Sequence, residues 1–137
     1  MTAPDCLFCK IIQGQIPCIR IFEDDATLVF MDIMPQSDGH MLVVPKQHGA
    51  NIWDIDQPSA MAIMTVGQRL SLVAKNALQA AGVSLMQLNG AAAGQTVFHV
   101  HLHIIPRWAG SDLRMHAREQ ADRIKLVAIA EKIKAGL

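Results

Sequence analysis

Three histidines, His99, His101 and His103, occupy alternate positions near the C-terminal third of the chain. Branched aliphatic residues, Val100 and Leu102, fill the positions between them. Because successive side chains of a β-strand point to opposite faces, this pattern predicts a strand with imidazoles about 6.6 Å apart along one face. Half of the chain's six histidines lie on that predicted face, which favours a chemical role over an ordinary half-buried strand.

The residue types around this strand favour phosphoryl or nucleotidyl transfer through a phosphohistidine. A neutral imidazole can attack phosphorus at pH 7 while a neighbouring ring donates a proton or stabilises charge. Residues 89–96 are mostly small, so backbone N–H groups there could donate to phosphate oxygens, although a plain flexible hairpin has a similar composition. Asp32 ends an earlier predicted strand, where its carboxylate could bind a ribose diol or simply initiate a turn.

Two cysteines near the N-terminus, Cys6 and Cys9, are spaced so that both thiols could reach one metal ion. The same CxxC spacing occurs in redox pairs and by coincidence, but no βαβ unit surrounds it here as in a thioredoxin-like site. A zinc site needs two further ligands, and His48 and His99 are the best candidates. Cys18 has no partner in the sequence pattern and is interpreted as structural.

Hydrophobic periodicity predicts helices and strands that position these residues in an α+β fold with an antiparallel sheet. The predicted elements are a short helix over residues 7–13 ended by Gly14, strands over 20–23, 27–32, 40–44 and 84–88, the histidine strand, a main helix over 58–81 stopped by Gly82, and a C-terminal helix over 119–135. The main helix is expected to pack on the sheet. The C-terminal helix is expected to be amphipathic through Ile124, Val127, Ile129 and Ile133.

Composition favours a single domain over residues 1–137, with a core over about 5–108 and a tail with its helix over 109–137. Hydrophobic residues make up 51% of the chain, which suits one domain with a substantial core. The formal net charge is zero, which gives no support to a nucleic-acid or membrane-surface role. An odd number of cysteines and the lack of a signal-like or membrane-spanning apolar run lead us to expect a cytoplasmic protein.

At residues 99–105 the sequence resembles the histidine triad family, in which three histidines alternate with hydrophobic residues and two more hydrophobic residues follow. The resemblance extends over residues 6–17, 22–25, 30–35, 39–48, 89–90 and 94–97. Within this family, the sequence is similar to the bacterial branch that includes purine nucleoside phosphoramidases. Three positions depart from that branch or shape its specificity: Met31 stands where histidine is frequent, Phe98 replaces a tyrosine, and Trp108 opens a weakly matching tail.

The resemblance implies a histidine triad fold and a nucleotide hydrolase or transferase. His101 would attack the α-phosphorus of a nucleoside 5′-phosphoryl compound, such as adenosine 5′-phosphoramidate, and the nucleotidyl-histidine would release the nucleoside monophosphate. His103 would contact the phosphate or the leaving group, His40 would belong to the supporting hydrogen-bond network, and Asp32 would hold the ribose hydroxyls. The implied nucleotide-binding residues are Phe30, Asp32, Ile33, Asn89, Gly94, Gln95, Thr96, His101 and His103.

The resemblance further implies a structural zinc ion held by Cys6, Cys9, His48 and His99, because all four positions would be filled by protein ligands. It also implies a homodimer with the main helix and a sheet edge at the interface, which would account for the apolar character of residues 61–77.

Three other functions remain open from the sequence. A dinucleoside polyphosphate hydrolase would use the same histidines on a different substrate. A nucleotide-binding or scaffold protein would retain only weak activity. A zinc hydrolase would use His101 and His103 as ligands to an activating metal, and chelation would then abolish its activity.

Overall fold

The computed structural model describes residues 3–111, 113 and 119–137, and the chain forms an α+β fold. Its helices are α1 (Leu7–Ile12), α2 (Gln57–Leu78) and α3 (Arg123–Ala135), and its strands are β1 (Arg20–Glu23), β2 (Thr27–Met31), β3 (Met41–Pro45), β4 (Gly82–Gln87) and β5 (Leu102–Arg107). Single 3₁₀ turns lie at Ile52–Asp54 and Ala91–Ala93. Among these described residues, no helix has the length and apolar character needed to cross a bilayer.

The five strands form one antiparallel sheet in the order β1-β2-β3-β5-β4. The tight turn between β1 and β2 is fixed by Asp24, whose Oδ1 accepts hydrogen bonds from Ala26 N at 3.0 Å and Thr27 N at 2.8 Å. Every residue of β2 and β3 is buried, because both faces of these central strands are covered. The predicted antiparallel α+β fold is therefore confirmed.

Alternate residues of the central strands enter two separate cores. Val29 and Val43 belong to the larger core, where the sheet packs against α2 and α3. Leu28 and Leu42 belong to a smaller core on the opposite face, where α1 covers the sheet. The smaller core forms one wall of the candidate site described below, so α1 shapes the site although it has only six residues.

The two ends of helix α2 are set by an N-terminal cap and by a left-handed residue after its last turn. Asp56 accepts a hydrogen bond from Ser59 N at 2.8 Å and so caps the N-terminus. The helix stops at Leu78 because Gln79 adopts a left-handed conformation, with φ of 53°. The prediction that Gly82 stops this helix was wrong, since Gly82 is the first residue of β4.

The C-terminal helix also differs from its prediction. The C-terminal helix starts at Arg123 rather than 119, and its buried face is formed by Leu126, Ala130 and Ile133. Ile124 is 79% exposed and Val127 is 37% exposed, so the predicted amphipathic face was wrong for both. The positions of apolar residues in the sequence did not identify this face. Helix α3 contacts both α2 and β1, and these neighbours decide which of its sides is buried.

Candidate functional site

The histidine strand is shorter than its alternating pattern predicts. Strand β5 begins at Leu102, so His99 and His101 lie in the approach to the strand and only His103 lies within it. The chain bends before the strand, and His99 is therefore free to face a different set of neighbours. The rings of His101 and His103 remain together, with centroids 4.8 Å apart.

Hydrogen bonding fixes the tautomer of His101. Its Nδ1 lies 2.7 Å from the carbonyl oxygen of His99, and a carbonyl can only accept, so Nδ1 carries the proton. The lone pair of the neutral ring is consequently on Nε2. Burial lowers the pKa of His101, which keeps the ring neutral and nucleophilic at pH 7.

A chain of three groups fixes the tautomer of His103 in the same way. The backbone N–H of Gln36 donates to Nδ1 of His40 at 3.0 Å, so the proton of neutral His40 is on Nε2. That Nε2 lies 2.9 Å from Nδ1 of His103 and donates to it, which leaves the proton of a neutral His103 on its own Nε2. Burial, followed by the neighbouring His103 and Arg107, lowers the pKa of His40 to about 3, so His40 stays neutral at physiological pH.

Asp32 follows β2 directly and serves two neighbours. Its Oδ1 accepts a hydrogen bond from Met34 N at 2.8 Å, which is the turn-initiating role weighed from the sequence. Its Oδ2 lies 3.5 Å from Nε2 of His40. Burial raises the pKa of Asp32 to about 6, because desolvation disfavours the ionised carboxylate more than the hydrogen bond from Met34 N stabilises it.

Asp32, His40, His101 and His103 all face one cavity of about 580 Å³. The remaining lining is predominantly apolar and comes from α1, the segment before β1, and the end of β2; it includes Leu7, Phe8, Ile11, Ile16, Pro17, Phe30, Met31, Ile33, Met34 and Val97. A cavity with a broad apolar wall and a few polar groups at one end suits a ligand with a flat apolar part and a charged part. A nucleotide has this character.

The small-residue loop contributes less to this cavity than the sequence suggests. Thr96 lines it, but Gly94 N donates to Ala91 O at 3.0 Å and Gln95 N donates to Gly90 O at 3.1 Å. The loop thus satisfies these donors internally around its 3₁₀ turn.

The side chains of Asn89 and Gln95 are also engaged within the fold. Gln95 is buried, its Oε1 accepts from Gly90 N at 2.7 Å, and its Nε2 donates to the carbonyls of Ala50 and Val97. Asn89 accepts from Ile52 N at 2.8 Å and exchanges hydrogen bonds with Gln87. Direct contact of Asn89, Gly94 and Gln95 with a phosphate therefore stays a prediction, and the contacts observed shape the loop that carries Thr96.

The four predicted zinc ligands come together at the other end of the histidine segment. Their ligand atoms, Sγ of Cys6 and Cys9 and Nδ1 of His48 and His99, all lie within 4.8 Å of one another. Neighbouring atoms are 3.2–3.6 Å apart, whereas ligands about 2.0–2.3 Å from a tetrahedral zinc lie about 3.3–3.8 Å from each other.

The hydrogen bond of His99 supports the same fit. Nε2 of His99 lies 2.8 Å from the carbonyl of Pro45, so it is the donor and the lone pair is on Nδ1, the atom that faces the cluster. The donor set and spacing therefore fit a closed, four-coordinate zinc site. His101 and His103 are separate from it, and His40 cannot ligate a metal through Nε2 while Nδ1 accepts from Gln36.

Two functional contributors were missed from the sequence. Phe8 presents its ring to both histidine environments, with centroids 5.9 Å from His99 and 5.2 Å from His101; its place inside the CxxC motif was the available signal. Gln36 acts through its backbone N–H on His40, and no residue-type pattern reveals a backbone donor.

The fold and this arrangement of histidines define a protein of the histidine triad class. The HIT domain family matches residues 13–110, and the chain belongs to this family. The chain is 42% identical over 122 residues to adenylylsulfatase HINT3 of Arabidopsis thaliana, covering 82% of this chain and 60% of that protein. It is 39% identical over 102 residues to adenosine 5′-monophosphoramidase hnt1 of Schizosaccharomyces pombe, covering 74% of each.

Solved structures agree with the family and the fold. A HIT-like protein of Bartonella henselae superposes with a TM-score of 0.93 at 40% identity, covering 98% of both chains. A zinc-bound histidine triad family protein of Mycobacterium smegmatis superposes with a TM-score of 0.86 at 37% identity, covering 96% of this chain and 92% of that chain. The named activities of the relatives indicate a HIT hydrolase.

Proposed function

We propose that this protein hydrolyses purine nucleoside 5′-phosphoryl compounds through a nucleotidyl-histidine intermediate on His101. The observation that carries the proposal is the 2.7 Å hydrogen bond from His101 Nδ1 to the carbonyl of His99. It leaves the lone pair on Nε2 of a neutral imidazole that lines a cavity of nucleotide-like character.

In the first step, Nε2 of His101 attacks the α-phosphorus, and the bond from phosphorus to the leaving group breaks. The leaving group departs with the bonding electron pair and needs a proton. That proton comes from solvent, and the Nε2–H of His103, placed there by the Gln36–His40 chain, donates a hydrogen bond to the departing group. The positive charge formed on His101 is shared through Nδ1–H with the carbonyl of His99.

In the second step, a water molecule attacks the same phosphorus and the bond to Nε2 of His101 breaks. The imidazole recovers its lone pair, the attacking water releases a proton to solvent, and the nucleoside monophosphate is released. Both steps involve the rings of His101 and His103, whose centroids are 4.8 Å apart.

We assign the ribose to Asp32 and the base to the apolar wall of the cavity. The ionised carboxylate offers oxygen atoms to the 2′- and 3′-hydroxyls, and Phe30 and Ile33 provide apolar surface beside it. The favoured leaving group is an amine, as in adenosine 5′-phosphoramidate, which agrees with the named activity of the Schizosaccharomyces relative.

A second candidate substrate is adenosine 5′-phosphosulfate, because the Arabidopsis relative is named an adenylylsulfatase. Dinucleoside polyphosphates and a binding role with weak activity are the remaining alternatives. All the enzymatic alternatives share the nucleotidyl half and differ only in the group that leaves, so comparison of kcat/KM for the three substrates separates them.

We further propose that Cys6, Cys9, His48 and His99 hold a structural zinc ion, which would stabilise the approach to β5. The mycobacterial relative is zinc-bound, and the tetrahedral spacing of the donors supports the same metal here. Thiol ligands of this kind and the free thiol of Cys18 suit a reducing compartment, so we place the protein in the cytoplasm.

We also propose a homodimer. Met61 is 67% exposed, Met64 is 52% exposed and Leu72 is 59% exposed on one side of α2. Leu85 is 40% exposed on β4, an edge strand of the sheet. A second copy would cover this surface. Met64→Glu is expected to convert a dimer into a monomer in light-scattering measurements, and a wild-type monomer would contradict the proposal.

The decisive experiment is intact-protein mass spectrometry after mixing with adenosine 5′-phosphoramidate and quenching without acid. The wild type is expected to gain the mass of an adenylyl group, and His101→Gly, checked for folding by circular dichroism, is expected not to. Turnover that persists unchanged in His101→Gly would refute His101 as the nucleophile. Nucleotide binding without turnover of any of the three substrates would support the binding role instead.

A further inference from the structure

Residues 32–40 form a loop that carries two functional groups, Asp32 at its start and His40 at its end. Asp32 N donates to the carbonyl of His40 at 3.0 Å and closes the base of the loop. The rest of the loop must keep both side chains aimed at the cavity. Its conformation is therefore part of the site.

The later half of the loop is fixed by the body of the fold. Ser37 Oγ donates to the carbonyl of Pro106 at 2.6 Å. Gly39 has a φ of 89° and lies so close to Leu78 and Pro106 that an added Cβ would clash with their side chains. Ser37 and Gly39 therefore help to hold His40, which follows, in place.

The C-terminal segment contacts the loop both near its start and near its end. Ala121 N donates to the carbonyl of Ile33 at 2.9 Å, directly beside Asp32. Lys125 Nζ lies 3.1 Å from Oδ1 of Asp38. The segment that makes these contacts is itself anchored, because Leu126 of α3 is buried in the larger core.

These contacts span a space that is not closely packed. A cavity of about 270 Å³ lies between residues 35–39 and residues 119–129. Ile33 is 51% exposed, so dispersion contacts alone do not hold the start of the loop. The hydrogen bond from Ala121 is the firmer of the two links, since an exposed ion pair such as Lys125–Asp38 contributes little.

We propose that Ala121, through its backbone N–H, is a positioning residue that holds Ile33 and Asp32 in the ribose-binding conformation. The inference rests on the proposed function, because it takes the ligand to be a ribonucleotide. It assigns a role in substrate binding to a segment beyond residues 13–110, the part of the chain that the HIT domain family matches. The chemistry at His101 does not depend on this link.

The test compares Ala121→Pro, which removes the N–H donor, with Ala121→Gly, which keeps it. Each variant is assayed with adenosine 5′-phosphoramidate and with its 2′,3′-dideoxy analogue. Loss of one hydrogen bond predicts about a fivefold rise in KM for the ribose substrate in Ala121→Pro, with kcat within about twofold of wild type. Ala121→Gly is expected to match wild type, and Ala121→Pro is expected to leave KM for the dideoxy substrate unchanged.

A merely structural role would raise KM equally for both substrates or lower kcat, and either result would overturn the inference. A wild type that does not distinguish the two substrates would instead refute the ribose role of Asp32, which belongs to the proposed function.

A second measurement needs no variant. Amide hydrogen exchange of wild type with and without adenosine 5′-monophosphate should show slower exchange at Ala121 when the nucleotide is bound, because a loop closed on the ribose opens less often. Unchanged exchange at Ala121 with saturating nucleotide would overturn the inference even if Ala121→Pro failed to fold. A protein that binds no nucleotide would overturn both proposals.

Discussion

Asp32→Asn separates the contribution of this carboxylate to ligand binding from its effect on the stability of the fold. Burial raises the pKa of Asp32 to about 6 from its ordinary value of 3.8. A shift of this size corresponds to about 3 kcal/mol as an upper bound, because each unit of pKa is worth about 1.4 kcal/mol. The ionised carboxylate therefore destabilises the ligand-free folded protein at neutral pH.

The direction in which pH changes the stability contribution of Asp32 follows from the linkage between protonation and folding. The folded-state pKa lies above the unfolded-state pKa, so the folded protein binds the proton more tightly between pH 3.8 and about 6. The contribution of Asp32 to stability is fully present below pH 3.8 and is lost as pH rises through about 6. Asp32→Asn keeps an oxygen for Met34 N and removes the charge. We expect it to raise the free energy of unfolding of the ligand-free protein by about 1–3 kcal/mol at pH 7.

Folding favours the protonated form of Asp32, whereas ribose binding should favour the ionised form. With a pKa of about 6, the ionised fraction of Asp32 falls by a factor of about 10 between pH 7 and pH 5. The ratio of the affinities for adenosine and 2′,3′-dideoxyadenosine, measured by calorimetry, should fall toward one over the same range. Use of the ratio cancels the titration of other groups, which affects both ligands alike.

The control is Asp32→Asn itself, for which the affinity ratio should be small and independent of pH between 5 and 7. The reasoning fails if wild type keeps its full preference for the ribose at pH 5, or if the variant keeps the same pH dependence. It also fails on the stability side if Asp32→Asn is less stable than wild type at pH 7 in urea unfolding.

Three further predictions concern the zinc site, the histidine chain and a glycine. Cys9→Ser is expected to lose bound zinc, measured by metal analysis, and with it about 4 kcal/mol of stability if free zinc is about a thousandfold above its dissociation constant. Cys18→Ser, outside the cluster, should retain the metal, and equal zinc content in the two variants would contradict the assignment. His40→Ala should lower kcat about 100-fold with little change in KM, since the tautomer of His103 is no longer fixed; a normal kcat would refute the chain. Gly39→Ala should cost about 2–4 kcal/mol in urea unfolding, against about 1 kcal/mol for Gly14→Ala. Both glycines have positive φ, but only Gly39 is crowded by Leu78 and Pro106, so equal losses would show that crowding is not responsible.

The sequence determined much of the fold because its signals are local. Alternating and helical hydrophobic patterns predicted the strands of the sheet and α2, and Gly14 has the left-handed conformation expected of it, with φ of 79°. The residue types of Cys6, Cys9, His48 and His99 also suggested a shared ligand set before any distance was known. Residue type and spacing carry this information without reference to distant parts of the chain.

Tertiary structure decided the features that depend on a distant partner. His99 leaves the strand face because Pro45 accepts from its Nε2 and Cys6 and Cys9 lie beside its Nδ1. Gln95 is engaged with Ala50, 45 positions away, so its amide helps to shape the loop, and its contact with a phosphate stays a prediction.

Distant partners in the fold also decide the tautomers of His101 and His103 and the buried face of α3. The Nε2 lone pair of His101 follows from a carbonyl, and the proton position on His103 follows from the backbone N–H of Gln36 through His40. Which face of α3 is buried follows from its packing against α2 and β1. The sequence by itself determined which chemical groups were available and which elements would carry them. Only the folded chain decided how those groups are oriented, because backbone donors and acceptors have no residue-type signal and long-range contacts have no local pattern.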